Sequence, residues 1–357
     1  ANAGMTKKTN AMEMVFVDEP GFDLLRKHFA VLHPANAQWA ESTCQWCEGR
    51  DVERIYPIRA GLAKDYERLS RFLTGRAVGV VLGGGGARGF AHLGVLRAIE
   101  EAGIPVDVLG GNSMGAIIGA SYAFGVPREE IHHQILRFAR GGLRIGFPML
   151  SILSNVPYSS ALRQVFGEIL IESLWTPYFA TACNLSQAET IVLDHGQLWR
   201  ALLASNSPAG LLPPVIYNGD LLVDGAILEN VPVTAMRSRL GTALERRRNH
   251  GTVIAIDVDV RENLKAPPGL TELRPRDVLK SRLTPSAKKI PSIVDILMQA
   301  GHIGGQAQRD RTIALADYYL EPPVTHYPMM GYKKAEEIIE IGYRYAVEQI
   351  GRWGKLN

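Results

Sequence analysis

Ser113 stands in the turn Gly111-Asn112-Ser113-Met114-Gly115, and the run Gly83-Gly84-Gly85-Gly86-Ala87-Arg88-Gly89 begins 28 residues before that turn. A G-x-S-x-G turn between a strand and a helix exposes a serine hydroxyl as a nucleophile. A glycine run after a strand aims bare backbone amides at an anion, which is what a tetrahedral oxyanion needs. The two turns are complementary halves of one reaction centre, and the chemistry they point to is serine acyl hydrolysis. Gly115, Ala116, Gly119 and Ala120 are small enough for the helix after Ser113 to pack closely, with its positive end directed at the serine oxygen.

A serine hydroxyl needs a base beside it. Histidines occur at 28, 33, 92, 132, 133, 195, 250, 302 and 326, none in a catalytic signature. His92 reads as a helix-packing residue, while His250, His302 and His326 stay open as distant members of a Ser–His–Asp arrangement. Asp224 is the other candidate, ending the apolar run Leu221-Leu222-Val223 and followed by Gly225 and Ala226. On its own it reads first as a turn former, as Asp220 does. An aspartate with an unperturbed pKa near ~4 is a weak base, so direct Ser–Asp chemistry requires a close and partly desolvated carboxylate.

Two further readings compete for the glycine loop. Gly84 to Gly89 also spells G-x-G-x-x-G, and Asp107 lies 18 residues beyond, near the spacing of a ribose-binding acid. A nucleotide-binding enzyme is therefore one alternative, although such an enzyme has no need of a serine turn on the next strand. A non-catalytic lipid-binding protein of the same fold is the other. Arg88 is a candidate for a positive field at the oxyanion site or for contact with a lipid phosphate, and otherwise for a structural ion pair.

These groups must be held by strands and helices. Val78–Leu82 is a continuous apolar run suited to a strand covered on both faces. A helix is predicted over Phe90–Ala102, stopped by Gly103 and Pro105. A strand over Val106–Leu109 and a helix over Met114–Phe124 follow, closed by Gly125 and Pro127. This β-α-β-α order is the mark of a parallel sheet in an α/β layer fold. Further strands are predicted at Phe179–Cys183, Thr190–Leu193 and Thr252–Val260. Asn218-Gly219 signals a hairpin between Val215–Tyr217 and Leu221–Val223. Ala335, Ile338, Ile339 and Gly342 line one face of a C-terminal helix. Residues 1–75 show no βα alternation and read as an N-terminal extension, partly helical or disordered, ahead of a hydrolase domain at 76–357.

The 357 residues carry a net charge of +3, too mild to imply nucleic acid. Cys44, Cys47 and Cys183 are too few for a disulfide scaffold. The Cys44–Cys47 spacing lacks the second ligand pair that zinc would need, so no metal is expected. The uncharged stretch Val108 to Pro127 is as long as a membrane span, but its glycines and Pro127 fit a buried strand, turn and helix. No signal peptide or transmembrane segment is expected, and the predicted location is cytoplasmic or peripheral to a membrane. Gly141 to Leu162 is apolar and nearly uncharged, suiting a buried connection or a flap over an acyl-chain groove. Arg261 to Lys289 holds eight basic residues against three acidic ones, suiting a solvated loop or contact with anionic lipid.

Val78 to Gly89, the serine turn and Asp224-Gly225-Ala226 together resemble the patatin-like phospholipase family. Ala182 to Ser186, Leu198 to Ala201 and Ser205 to Val215 extend the likeness. Leu73 to Arg76 and Ile338 to Tyr343 are similar to its neuropathy target esterase-like branch. The resemblance covers roughly residues 66–350. It implies a three-layer α/β/α fold with a mostly parallel central sheet, and a Ser–Asp dyad without histidine. Ser113 would be the nucleophile, Asp224 the base, and the amides of Gly84, Gly85, Gly86 and Ala87 the oxyanion hole. It implies a phospholipid or lysophospholipid substrate, with peripheral membrane contact and no cofactor. Asn112 replaces the family's usual threonine and Ala226 a frequent glycine; both neighbour the reacting groups and bear on rate or substrate choice.

Overall fold

The structure, a computed structural model, describes residues 28–41, 52, 54–140, 151–240, 251–260, 271, 272, 274, 276 and 290–353. The sequence features at Cys44, Cys47, His250, 141–150 and most of 261–289 lie outside the described residues. The described elements run β1 (His28–His33), β2 (Arg54–Arg59), α1 (Ala63–Leu73), β3 (Val78–Leu82), α2 (Ala91–Glu101), β4 (Val108–Gly111) and α3 (Met114–Phe124). There follow α4 (Arg128–Arg140), α5 (Val156–Phe166), β5 (Tyr178–Asn184), β6 (Glu189–Leu193), α6 (Leu198–Ser205), β7 (Val215–Tyr217) and β8 (Asp220–Asp224). The series ends with α7 (Val233–Leu240), β9 (Thr252–Ile256), α8 (Ile293–Ala307), α9 (Arg309–Leu315), β10 (Tyr318–Leu320) and α10 (Ala335–Gly351).

Eight strands form the main sheet in the order β10-β9-β3-β4-β5-β8-β7, with β6 added on β5. The run from β10 to β5 is parallel, while β6, β8 and β7 join antiparallel. Side chains alternate across the central strands, and the two faces bury separate apolar layers. Val78, Val80 and Leu82 pack on one side with Leu109, Ile254, Ile256 and residues of α2, α3, α6 and α10. Val81 packs on the other with Val108, Phe179, Val253, Phe72 of α1 and Met236 of α7. Helices thus cover both faces, the three-layer arrangement that near-continuous apolar strands require.

Two strand boundaries differ from the sequence reading. The strand expected at 106–109 sits at 108–111, because Gly110 and Gly111 stay in the ladder opposite Val81 and Leu82. The strand expected over 252–260 stops at Ile256. Beyond it the carboxylates of Asp257 and Asp259 accept the nearby backbone amides of Asp259 and Val260, drawing the chain out of the ladder. Within residues 1–75, β1 and β2 form a parallel pair. Tyr56 and Ile58 of β2 are buried in the apolar layer that also holds Val81 and Met236. Pro57 inside β2 masks this strand in the sequence.

Candidate active site

Two strand ends meet along β5. Gly111, the end of β4, pairs with Ala180, and Asp224, the end of β8, pairs with Ala182. β6 pairs along Ala180–Asn184 and so takes one edge of β5, leaving β4 and β8 end to end on the other. β4 runs parallel to β5 and β8 antiparallel, so their C-terminal ends face each other. At about 3.3 Å per residue, the two ends are roughly 7 Å apart. Residues more than a hundred positions apart in sequence are brought together in this way.

Ser113 is the second of the two residues between β4 and α3, with φ 51° and ψ −124°. A non-glycine residue in that region costs about 1–3 kcal/mol, which the surrounding contacts must hold. Its amide donates to Ser205 Oγ at 2.9 Å, and its carbonyl accepts Asn206 Nδ2 at 2.9 Å. Gly115 lets α3 lie against the Leu82 and Gly83 carbonyls, where a side chain would collide with backbone. The Ser113 side chain stands close enough to the Asp224 carboxyl to favour its charged form.

The glycine loop leaves β3 and enters a 3-10 turn at Gly86–Phe90. A Cβ on Gly84 would lie 3.0 Å from the Ser113 Cβ, so the loop's backbone approaches the serine directly. Asn230 holds this point from both sides: its Oδ1 accepts the Gly84 amide at 3.1 Å, and its Nδ2 donates to the Gly84 carbonyl at 3.1 Å. The Ala87 amide donates to the Met329 carbonyl at 2.7 Å. Of the four amides expected to face an oxyanion, those of Gly84 and Ala87 are therefore already bonded. Those of Gly85 and Gly86 have no protein partner among the described residues. Gly86 has φ +57° and lies against Met329, so any side chain there would be strained and crowded.

Asp224 is 6 % exposed. Burial pushes its carboxyl above the usual aspartate range. The Ala226 amide, the charge of His302, the Ser113 hydroxyl and Asn112 oppose that rise. Asn112 Nδ2 donates to Asp224 Oδ1 at 3.0 Å, and the Ala226 amide donates to the same oxygen at 2.9 Å. Asn112 Nδ2 also lies 3.4 Å from Asn230 Oδ1, linking the carboxylate to the glycine loop. A Cβ on Gly225 would lie 2.5 Å from Asn112 Oδ1, so this turn has room only for glycine. The site thus brings a serine side chain to a buried, desolvated carboxyl, next to two backbone amides able to bind an oxyanion.

The other candidates are placed as follows. Arg88 is 2 % exposed and donates through Nε to the Tyr327 carbonyl at 2.7 Å, an inward position that fits a local field and not a headgroup contact. His92 is wholly buried, and its Nε2 meets the Gly83 carbonyl at 2.8 Å. Desolvation lowers its pKa to about 4, so the ring is neutral and donates to the base of the glycine loop. Gly89 lies against Met114, which begins α3. Asp107 precedes β4, whereas the glycine loop follows β3. In a parallel pair these are opposite edges of the sheet. Asp107 is instead bound by Arg71 Nη2 at 2.7 Å and by the Val78 amide at 2.9 Å, a structural role that removes it as a ribose ligand. Of the histidines left open, His302 bonds Asp259 and His326 is exposed. Asn230, Ser205, Asn206 and Met329 were not found from the sequence. Asn230 stands in an unpatterned Glu-Asn-Val stretch, and Ser205 and Asn206 sit at a helix end where such residues are commonplace.

Residues 80–237 match the family model described as patatin-like phospholipase. The chain is 33% identical over 305 residues to lysophospholipase NTE1 of Kluyveromyces lactis, covering 82% of this chain and 20% of that protein. It is 33% identical over 318 residues to patatin-like phospholipase domain-containing protein 6 of Homo sapiens, covering 85% and 22%. The chain spans about a fifth of the length of these relatives. Among solved structures, VipD from Legionella pneumophila is similar at TM-score 0.44 and 12% identity, over 78% of this chain and 67% of that one.

Proposed function

The chain belongs to the patatin-like phospholipase family through its domain at residues 80–237, and from that premise we propose that it hydrolyses carboxylic esters of lysophospholipids or phospholipids with Ser113 as nucleophile and Asp224 as base. The observation that carries this reading is the meeting of the Ser113 turn and the buried Asp224 carboxyl at facing strand ends along β5, beside the Gly85 and Gly86 amides, which have no protein partner among the described residues.

In the first step Ser113 Oγ bonds to the acyl carbon while its proton passes to Asp224. The carbonyl π pair moves onto oxygen, and the Gly85 and Gly86 amides receive that charge. The tetrahedral adduct then collapses: the acyl carbon–oxygen bond to the leaving alcohol breaks, and Asp224 returns the proton to that oxygen. Deacylation repeats the sequence with water, its proton accepted by Asp224, and releases the fatty acid. Burial suits Asp224 to this work, because a desolvated carboxylate has a higher proton affinity than one in water. Asn112 and the Ala226 amide fix Asp224 Oδ1.

The lipid class is drawn from the relatives, one of which is named a lysophospholipase. No helix among the described residues is long and apolar enough to cross a membrane. The encounter with lipid is read as peripheral on the exposed Ile293, Ile296 and Ile303 of α8. Fatty-acid release from a panel of lysophospholipids and phospholipids tests the function. Release by the native chain, with loss to background in folded Ser113→Ala and Asp224→Asn, is expected. Equal release by Ser113→Ala would refute the assignment.

A further inference from the structure

His302 is a buried ionisable group that the proposed proton transfers leave unused. Helix α8 brings it to the site by an unusually close approach. A Cβ on Gly305 would lie 2.6 Å from the Ala226 carbonyl and 3.0 Å from the Asn230 amide. Gly304 meets the Ile227 carbonyl in the same way. Glycine at both positions lets the helix rest on the turn that immediately follows Asp224. His302 is one turn back on this face and 7 % exposed.

Its Nδ1 lies 3.1 Å from Asp259 Oδ2, and Gln306 Nε2 reaches the same oxygen at 3.5 Å. The Asp259 side chain is only 8 % exposed, in the stretch after β9 that leaves the ladder early. Asp259 and Gln306 border a cavity of about 310 Å³. The charged groups facing His302 are Asp259 after β9, Asp224 at the end of β8, and Arg88 in the 3-10 turn after β3. Desolvation lowers its proton affinity, but Asp259 and Asp224 outweigh desolvation and Arg88, and the balance lies above the ordinary histidine value. Tyr158 of α5 and Cys183 of β5 also face Asp224, and burial raises both, so they stay neutral where the carboxylate titrates.

We propose that His302, held by Asp259, is a positioning residue whose positive charge keeps the buried Asp224 carboxyl ionised and ready to accept the Ser113 proton. The inference rests on the Ser113–Asp224 reading above. His302 exchanges no proton with substrate and makes no bond to it; it acts through Asp224. Burial alone would favour the neutral acid, which cannot serve as a base. An imidazolium beside it shifts that balance towards the anion. Removing the positive charge therefore moves the ionisation of Asp224, and the acid limb of kcat/KM with it, to higher pH.

Two measurements test this. In protein labelled with 13C-histidine, the His302 titration is followed by NMR in the native chain and in Asp224→Asn. Coupling is reciprocal, so loss of the Asp224 charge lowers the His302 pKa, by about half a unit or more. This readout needs no activity and keeps His302 in place. In His302→Gln, the acid limb of ester hydrolysis moves up by about half a unit or more, while the high-pH plateau and KM change less than about threefold. An unchanged His302 titration in Asp224→Asn, or an unmoved acid limb in His302→Gln, overturns the proposal. Hydrolysis surviving Ser113→Ala would instead refute the dyad, and so separates the two failures.

Discussion

Asn230→Ala removes the clamp on the glycine loop. Its two bonds to Gly84, each 3.1 Å, are made in a site where Asn230 is 6 % exposed. A buried amide or carbonyl left without a partner costs about 1–3 kcal/mol. With partial access of water to the space left behind, about 2–4 kcal/mol of stability is lost, a fall of roughly 3–5 °C in Tm. The effect on rate is separate. Gly84 N–H and C=O fix the plane from which the Gly85 and Gly86 amides project, and one oxyanion donor is worth about 100- to 1000-fold in such sites. The expected outcome is a fall of about 100-fold in kcat with KM little changed. Asn230→Asp sharpens the test, since it keeps an acceptor for the Gly84 amide but sets a carboxylate against the Gly84 carbonyl. It also places a second negative charge across Asn112 from Asp224. It is expected to lose activity at least as severely as Asn230→Ala. Calorimetry and the rate of fluorophosphonate labelling at Ser113 read both effects. Asn230→Ala with native Tm and native labelling rate would refute the reasoning.

Two other predictions concern groups outside the proposed proton path. His92 is neutral in the fold, with its pKa lowered by burial from 6.5 to about 4. The unfolded chain therefore binds a proton first as pH falls. Stability is full above pH 6.5 and is lost between there and about pH 4, by about 3 kcal/mol at most. Denaturant midpoints at pH 7 and pH 4.5 should differ less in His92→Gln than in the native chain. Asp107→Asn breaks the ion pair with Arg71 and should cost about 2–3 kcal/mol, because Asp107 is buried while Arg71 is partly exposed. Urea unfolding measures this loss, and the labelling rate of the folded fraction should stay native, as expected of a group at the opposite edge of the sheet.

The parts of the site readable in advance are those carrying a local signature. The glycine run and the serine turn each follow an apolar strand, and Asp224 precedes a glycine at a strand end. The β-α-β-α stretch from Val78 to Phe124 was legible for the same reason, since strand and helix periods alternate there without interruption. What was not legible depends on register and long-range contact. Nothing local says that β4 and β8 end opposite Ala180 and Ala182 of one strand. Asn230 and Met329 reach the glycine loop from more than 140 residues away. The bonded amides of Gly84 and Ala87 follow from those contacts and could not be told by composition from those of Gly85 and Gly86, which have no protein partner among the described residues. Asn112, which the sequence marks as a departure from the family pattern, proves to be the side chain bonded to Asp224 Oδ1. His302 sits in Ala-Gly-His-Ile-Gly-Gly, where the glycines are the signal of close packing, but only the fold identifies the turn they pack against.

Mapping a fluorophosphonate adduct by mass spectrometry tests the central claim most directly. One covalent adduct on the Ser113 peptide is predicted, forming at a rate that collapses in folded Asp224→Asn. An adduct on a different residue, or Ser113 labelling that proceeds at the native rate without the Asp224 carboxylate, would contradict the account.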